Sequence, residues 1–152
     1  MEQPPLRRAV PGDAAAVQAL TRDAYAKWVP LISREPLPMT ADYDRAVREH
    51  LIDLWEEGGE LLALIEVIPA EDHLLIENVA VRPDQQGRGI GDRLLRHAEA
   101  LARSLGVDEV RLYTNAAFAE NLAFYARRGY QEYRRATVIP GSVTVYMKKK
   151  IA

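Results

Sequence analysis

The chain has 152 residues, with 20 Lys and Arg against 22 Asp and Glu, three His and no Cys. That length suits one domain and buries roughly two thirds of the unfolded surface, enough for a core without disulfide or metal staples. Lack of cysteine excludes thiol nucleophiles, disulfide frameworks, Cys-ligated zinc and iron–sulfur clusters, His50, His73 and His97 make a poor metal set, and a net charge of −2 lacks the basic excess of a nucleic-acid binder.

Leu6 to Val10 reads as a short strand broken at Pro11-Gly12, with Asp13 placed to cap a helix. Val17, Leu20, Ala24 and Trp28 recur at helical spacing, so the first helix runs to about Trp28. Pro30, Pro36 and Pro38 make Val29 to Met39 an irregular loop suited to shaping a pocket. A shorter helix from Ala41 to His50 carries Tyr43, Ala46, Val47 and His50 on one stripe. Leu51 to Glu56 then turns strand-like, Gly58-Gly59 signals a hairpin, Leu61 to Ile68 returns, and Leu74 to Val81 follows a turn at Pro69 to Asp72. Ile90, Leu94, Leu95, Ala98, Leu101, Ala102 and Leu105 mark one face of a helix from Gly89 to Leu105, stopped by Gly106. Val110, Leu112 and Thr114 alternate as a strand, and Phe118 to Arg128 forms a helix ended by Gly129. Tyr130 to Val138 then pairs with Ser142 to Lys149 around Pro140-Gly141. Lys148-Lys149-Lys150 reads as the solvated end of that last strand. The order βααβββαβαββ predicts an α/β (α+β) fold, a mixed and mostly antiparallel central sheet flanked by helices, over a single domain from 1 to 152. The start Met1-Glu2-Gln3-Pro4-Pro5 carries no signal pattern and no apolar run approaches the ~18 residues of a membrane span, which places the protein in the cytoplasm, away from membranes.

The informative stretch is Gln86-Gly87-Arg88-Gly89-Ile90-Gly91-Asp92, where a strand leads through a polar turn into the most periodic helix. Glycines let backbone N–H groups approach a ligand, and the helix N-terminus points further donors and a partial positive charge the same way, so the turn suits a phosphate. The alternative is that the glycines only tighten the turn. A dinucleotide fingerprint fails because its third glycine falls on Asp92, and a triphosphate loop fails because Gly91 is followed by Asp92 and Arg93.

Gln86 to Gly91 resembles the acetyl-CoA signature of the GNAT superfamily of N-acetyltransferases, Gln/Arg-x-x-Gly-x-Gly/Ala, at the same strand-to-helix junction. Asn121-Leu122-Ala123-Phe124-Tyr125 through Gly129-Tyr130 is similar to that family's N-x-x-F-Y-x-x-x-G-F/Y helix. The resemblance implies that backbone amides of Gln86, Gly87, Arg88, Gly89, Ile90, Gly91 and Asp92 hold the pyrophosphate of acetyl-CoA, with Arg88 adding charge. It also implies that Val79, Ala80 and Val81 form the cofactor strand, the backbone of Val79 and Val81 pairing with the pantetheine arm. Many members carry a cofactor-contacting Asn three residues before Asn121, where this chain has Phe118; either Asn121 replaces that contact or the contact is lost.

Acetyl transfer to an amine needs a neutral amine, a stabilised oxyanion and a proton for the leaving thiolate. The resemblance assigns Tyr125 as general acid and a backbone N–H near Val79 to Val81 as the oxyanion donor. Glu77 is the first candidate for the base, because alternation groups it with Leu75, Val79 and Val81 on one apolar face that would raise its pKa; Glu66, His73 and Tyr113 are alternatives, as is a structural salt bridge. Asn78, rare in mid-strand, marks a bulge or else faces solvent. The acceptor, a small-molecule or peptide amine, falls to the Val29–Met39 segment, the second helix and the last hairpin, with Trp28, Trp55 and Tyr43 as an apolar wall and Glu35 as a site for a cationic amine. A free amino acid, polyamine, aminoglycoside and protein N-terminus all remain open, as does a homodimer. A CoA-binding sensor without catalysis and a nucleotide-binding module are the competing classes.

Overall fold

Gly58 and Gly59 take φ of 58° and 80°, the two positive values of a type I′ turn, and close the hairpin between β2 (Leu51–Glu57) and β3 (Glu60–Pro69). The computed structural model describes residues 4–151. Ahead of that hairpin come β1 (Leu6–Arg8), α1 (Ala14–Tyr25), two single turns α2 (Val29–Ile32) and α3 (Leu37–Thr40), and α4 (Tyr43–Glu49). After it come β4 (Leu74–Val81), α5 (Ile90–Ser104), β5 (Glu109–Asn115), α6 (Ala119–Arg127), β6 (Gln131–Ile139) and β7 (Ser142–Lys150). They build a seven-stranded sheet in the order β1-β2-β3-β4-β5-β7-β6, antiparallel except between β4 and β5. The order agrees with the sequence except in the segment expected to be irregular, which winds into α2 and α3. Both turns carry a proline in their first turn, where its missing N–H has no helical acceptor to lose.

One face of the sheet holds α1 and α4, packing Val17, Leu20 and Ala46 against Ile52, Leu54, Leu64 and Ala80. The other holds α5, whose Leu94, Leu95 and Ala98 meet Ile65, Val110 and Leu112, with Leu122 and Phe124 of α6 at the margin. A fully buried leucine of this kind contributes roughly 1.5–3 kcal/mol. The apolar face of α5 ends a residue early: Leu105, outside the helix, is 47% exposed, while Glu99 is buried. Glu99 accepts from Tyr130 at 3.1 Å and from Lys149 at 3.1 and 3.2 Å, so Lys149 is drawn against the core rather than solvated as the lysine run predicts. Asp13 likewise does not cap α1; its carboxylate accepts from the Val10 N–H and clamps Arg7, each at 2.8 Å.

Two features of β4 shape the cleft. Its register against β3 slips so that Glu66 faces Asn78 while Val67 faces Ile76, leaving Glu77 as the extra residue of a bulge. The slip inverts the alternation. Leu74 and Ile76 before it and Val79 and Val81 after it join the same cluster as α5, so Glu77 does not share a face with Val79 and Val81. The second feature is the partnership with β5, which lasts only from Leu74–Ile76 against Val110–Leu112. Beyond Ile76 the two strands part, while β5 continues beside β7 to Asn115. Among the described residues no helix is long and apolar enough to cross a membrane.

Candidate active site

Gly87 and Gly89 sit at φ of 85° and 81°, a left-handed conformation that a side chain would strain, and Gly89 caps α5. The first helical bond runs from Arg93 N–H to Gly89 O at 3.2 Å, so the N–H groups of Ile90, Gly91 and Asp92 have no acceptor inside the helix. A Cβ on Gly91 would lie 3.1 Å from the Phe124 ring, so α5 and α6 meet closely beside the turn. The Asp92 carboxylate, awkward next to a phosphate, is neutralised by Arg128 at 2.9 Å and Arg96 at 3.0 Å.

The turn floors a groove of about 630 Å3, open to solvent, that runs between Lys27 and Trp28 on one side and α6 on the other. Gln86, Gly87, Gly89, Ile90, Gly91 and Asp92 line it, as do Val79, Val81, Asn121 and Tyr125. Two expected residues stand differently. Arg88 turns its guanidinium onto Gln85 at 2.6 Å and Glu57 at 3.2 Å, and Ala80 points its methyl into the α1/α4 core.

A second, much smaller cavity of about 80 Å3 lies where β4 and β5 part, under the segment from Ile32 to Pro38 and beside Thr144 of β7. Groove and cavity share Tyr25, Val79, Asn121 and Tyr125. Tyr125 is half-buried and burial pushes its phenol up to about 12, so it is protonated at neutral pH; among the described residues nothing hydrogen-bonds its hydroxyl. Tyr25 donates to Asn78 Oδ1 at 2.8 Å, and burial holds its phenol well above the usual range. Asn78, 3% exposed, donates in turn to Thr21 at 3.2 Å and Tyr43 at 3.3 Å, so it pins the bulge from below instead of facing water.

Glu77 lines the cavity and accepts from the Tyr113 hydroxyl. Burial, then this contact, raises the Tyr113 phenol, which keeps its proton as a donor. Behind Glu77 the buried Glu66 bonds His50 at 2.6 Å; burial raises the Glu66 carboxyl and His50 opposes the rise. A side opening reaches Glu77, Glu66 and His50 together. His73 pairs with Asp72 at 2.6 Å in its turn and lines neither the groove nor the cavity.

The expected acceptor wall is corrected. Trp55 is buried and bonds Glu57 at 2.9 Å, Tyr43 bonds the Pro38 carbonyl at 2.6 Å, and Trp28 stacks on Phe118 at 4.6 Å and lines the groove; none lines the second cavity. Glu35 is held by Arg22 at 2.5 Å. Ile32, Arg34, Pro36, Leu37 and Pro38, which belong to the Val29–Met39 segment expected to shape a pocket, line the cavity in their place. Sequence reasoning missed Tyr25 and Arg34. Thr21 and Tyr25, polar and four residues apart beside the apolar stripe of α1, were the available signal for the first.

The model of the acetyltransferase (GNAT) family matches residues 16–130. The chain is 30% identical to the S-(2-succino)cysteine N-acetyltransferase of Bacillus subtilis, over 98% of this chain and 97% of that protein. It is 40% identical over 68 residues to mouse N-alpha-acetyltransferase 80, a stretch that spans 45% of this chain and only 20% of the mouse protein. The PaiA N-acetyltransferase of Thermoplasma acidophilum, solved in complex with coenzyme A, has the same fold, with a TM-score of 0.81 at 18% identity and 98% and 99% coverage of the two chains. Fold and sequence together define an acyl-transferring enzyme. The chain belongs to the GNAT family, as an acetyl-CoA-dependent N-acetyltransferase.

Proposed function

We propose that the protein transfers the acetyl group of acetyl-CoA to a primary amine of a small molecule or peptide by direct attack on the thioester, as one cytoplasmic domain. The observation that carries this reading is the junction of groove and cavity at Val79, Asn121 and Tyr125, where an acyl donor on one side meets an amine on the other. Acetyl-CoA supplies the activated acyl group. The glycine turn and the first turn of α5 offer N–H donors to its pyrophosphate, and the unpaired side of β4 from Val79 to Val81 offers backbone to the pantetheine arm. A β4 N–H near Val79 faces the negative charge that develops on the carbonyl oxygen. Tyr125, still protonated at neutral pH, donates to the leaving sulfur. Glu77, steadied by Tyr113, accepts the proton of the amine. Of the similar proteins, one is named for S-(2-succino)cysteine and another as an N-alpha-acetyltransferase.

The test is a thermal-shift titration with acetyl-CoA, CoA, NAD and ATP in parallel, followed by CoA release with amines. The two CoA species at 100 times Kd stabilise the protein by about 2.7 kcal/mol, and NAD and ATP do not. No shift with either CoA species removes the cofactor assignment. A shift without CoA release from any amine marks a sensor instead of a catalyst.

A further inference from the structure

We propose that the acceptor is a small amine that carries a carboxylate on the same molecule, an amino acid or close analogue, and that Arg34 binds that carboxylate. The inference rests on the acetyltransferase reading of the cleft. Arg34 lines the acceptor cavity and is half-buried. It follows Ser33, whose φ of 56° is the one positive value on a non-glycine among the described residues. Such a conformation is costly for a residue with a Cβ and concentrates at ligand sites. Here it ends α2 and turns the chain so that Arg34 lies at the cavity wall.

Arg34 has no acid of its own. The adjacent Glu35 gives its carboxylate to Arg22, at 2.5 and 3.3 Å. Arg34 itself donates to two neutral oxygens, the Glu35 carbonyl at 3.2 Å and Ser142 Oγ at 3.1 Å, and among the described residues no carboxylate pairs with it. A guanidinium carries five N–H donors in a fork that matches a carboxylate, so two neutral bonds leave donors for one.

The cavity therefore holds one cation, Arg34, and one carboxylate, Glu77, on different elements. A zwitterion satisfies both, its amine toward Glu77 and its carboxylate toward Arg34, while Ile32, Pro36 and Leu37 offer an apolar surface to a side chain. A polyamine or aminoglycoside brings several positive charges against Arg34, and the cavity lining offers them Glu77 as its one acid.

The experiment measures CoA release by the full chain at saturating acetyl-CoA, with the proteinogenic amino acids, their primary amides and the corresponding decarboxylated amines. At least one amino acid is turned over with kcat/KM about 10- to 100-fold above its amide, the scale of a charge-assisted hydrogen bond. Arg34→Met raises KM for that amino acid by about the same factor, Arg34→Lys by less, and both keep the thermal shift with acetyl-CoA, which also shows that they fold. Amides or simple amines used as well as the acids, or no amino acid used at all, overturns the carboxylate site; with the acetyl-CoA shift intact, the acetyltransferase reading stands. Loss of that shift in the unaltered chain removes both. Should Arg34→Met not fold, the acid-against-amide comparison decides alone.

Discussion

The roles proposed for Tyr125 and Glu77 make opposite demands on protonation, and each yields a kinetic test. Tyr125→Phe removes a hydroxyl that has no hydrogen-bond partner among the described residues, so the fold and the acetyl-CoA shift are retained while kcat falls by roughly 100-fold or more, as measured by CoA release at saturating substrates. Glu77→Gln cannot accept a proton. The variant turns over slowly at every pH, and its kcat/KM loses the acid-side fall that the unaltered enzyme shows. Away from the site, Arg7 bonds hold the Asp13 carboxyl down to about 2. A depressed folded pKa gives stability that is present above the unfolded value and is lost as pH falls through the folded one. Asp13→Asn therefore costs about 1 kcal/mol at pH 7, after allowance for solvent around Arg7, and the deficit shrinks between pH 4 and 2 in chemical denaturation. Tyr125 and Asn121 were legible because they sit in a local pattern. Arg34 was not, because its meaning depends on Glu35 turning away to Arg22 and on Ser142, 108 residues distant.

At the scale of elements, the glycine turn and the β4 bulge do most to place the cleft. Gly89→Ala forces a Cβ into a left-handed cap, costs about 1 kcal/mol in stability and weakens acetyl-CoA binding in the same titration. Asn78→Ala strips partners from Thr21, Tyr25 and Tyr43 beneath the bulge and destabilises by about 2–3 kcal/mol in urea unfolding. An asparagine in mid-strand was a readable sign of the bulge, but simple alternation still put Glu77 on the wrong face, since one inserted residue reverses every position after it. The prolines of the Val29–Met39 segment misled for a related reason: position within a helix decides whether proline breaks it or begins it.

For the molecule as a whole, the chain order of strands and helices was legible from periodicity and turn residues, whereas the cleft was not. It arises from where two strands cease to pair, which no local pattern encodes. The sheet amounts to two half-sheets, β1 to β4 and β5 to β6, tied across the middle by the short register of Leu74–Ile76 on Val110–Leu112. Helices α5 and α6 and the single turns α2 and α3 lean across that seam. A pantetheine arm laid along β4, as proposed above, would lengthen the tie and stiffen the enzyme along its own reaction axis. Amide hydrogen exchange should slow in Asn78–Val81 on adding CoA, while the already paired Ile52–Trp55 keep their rates; equal slowing in both would mean that the two halves move as one body with or without cofactor.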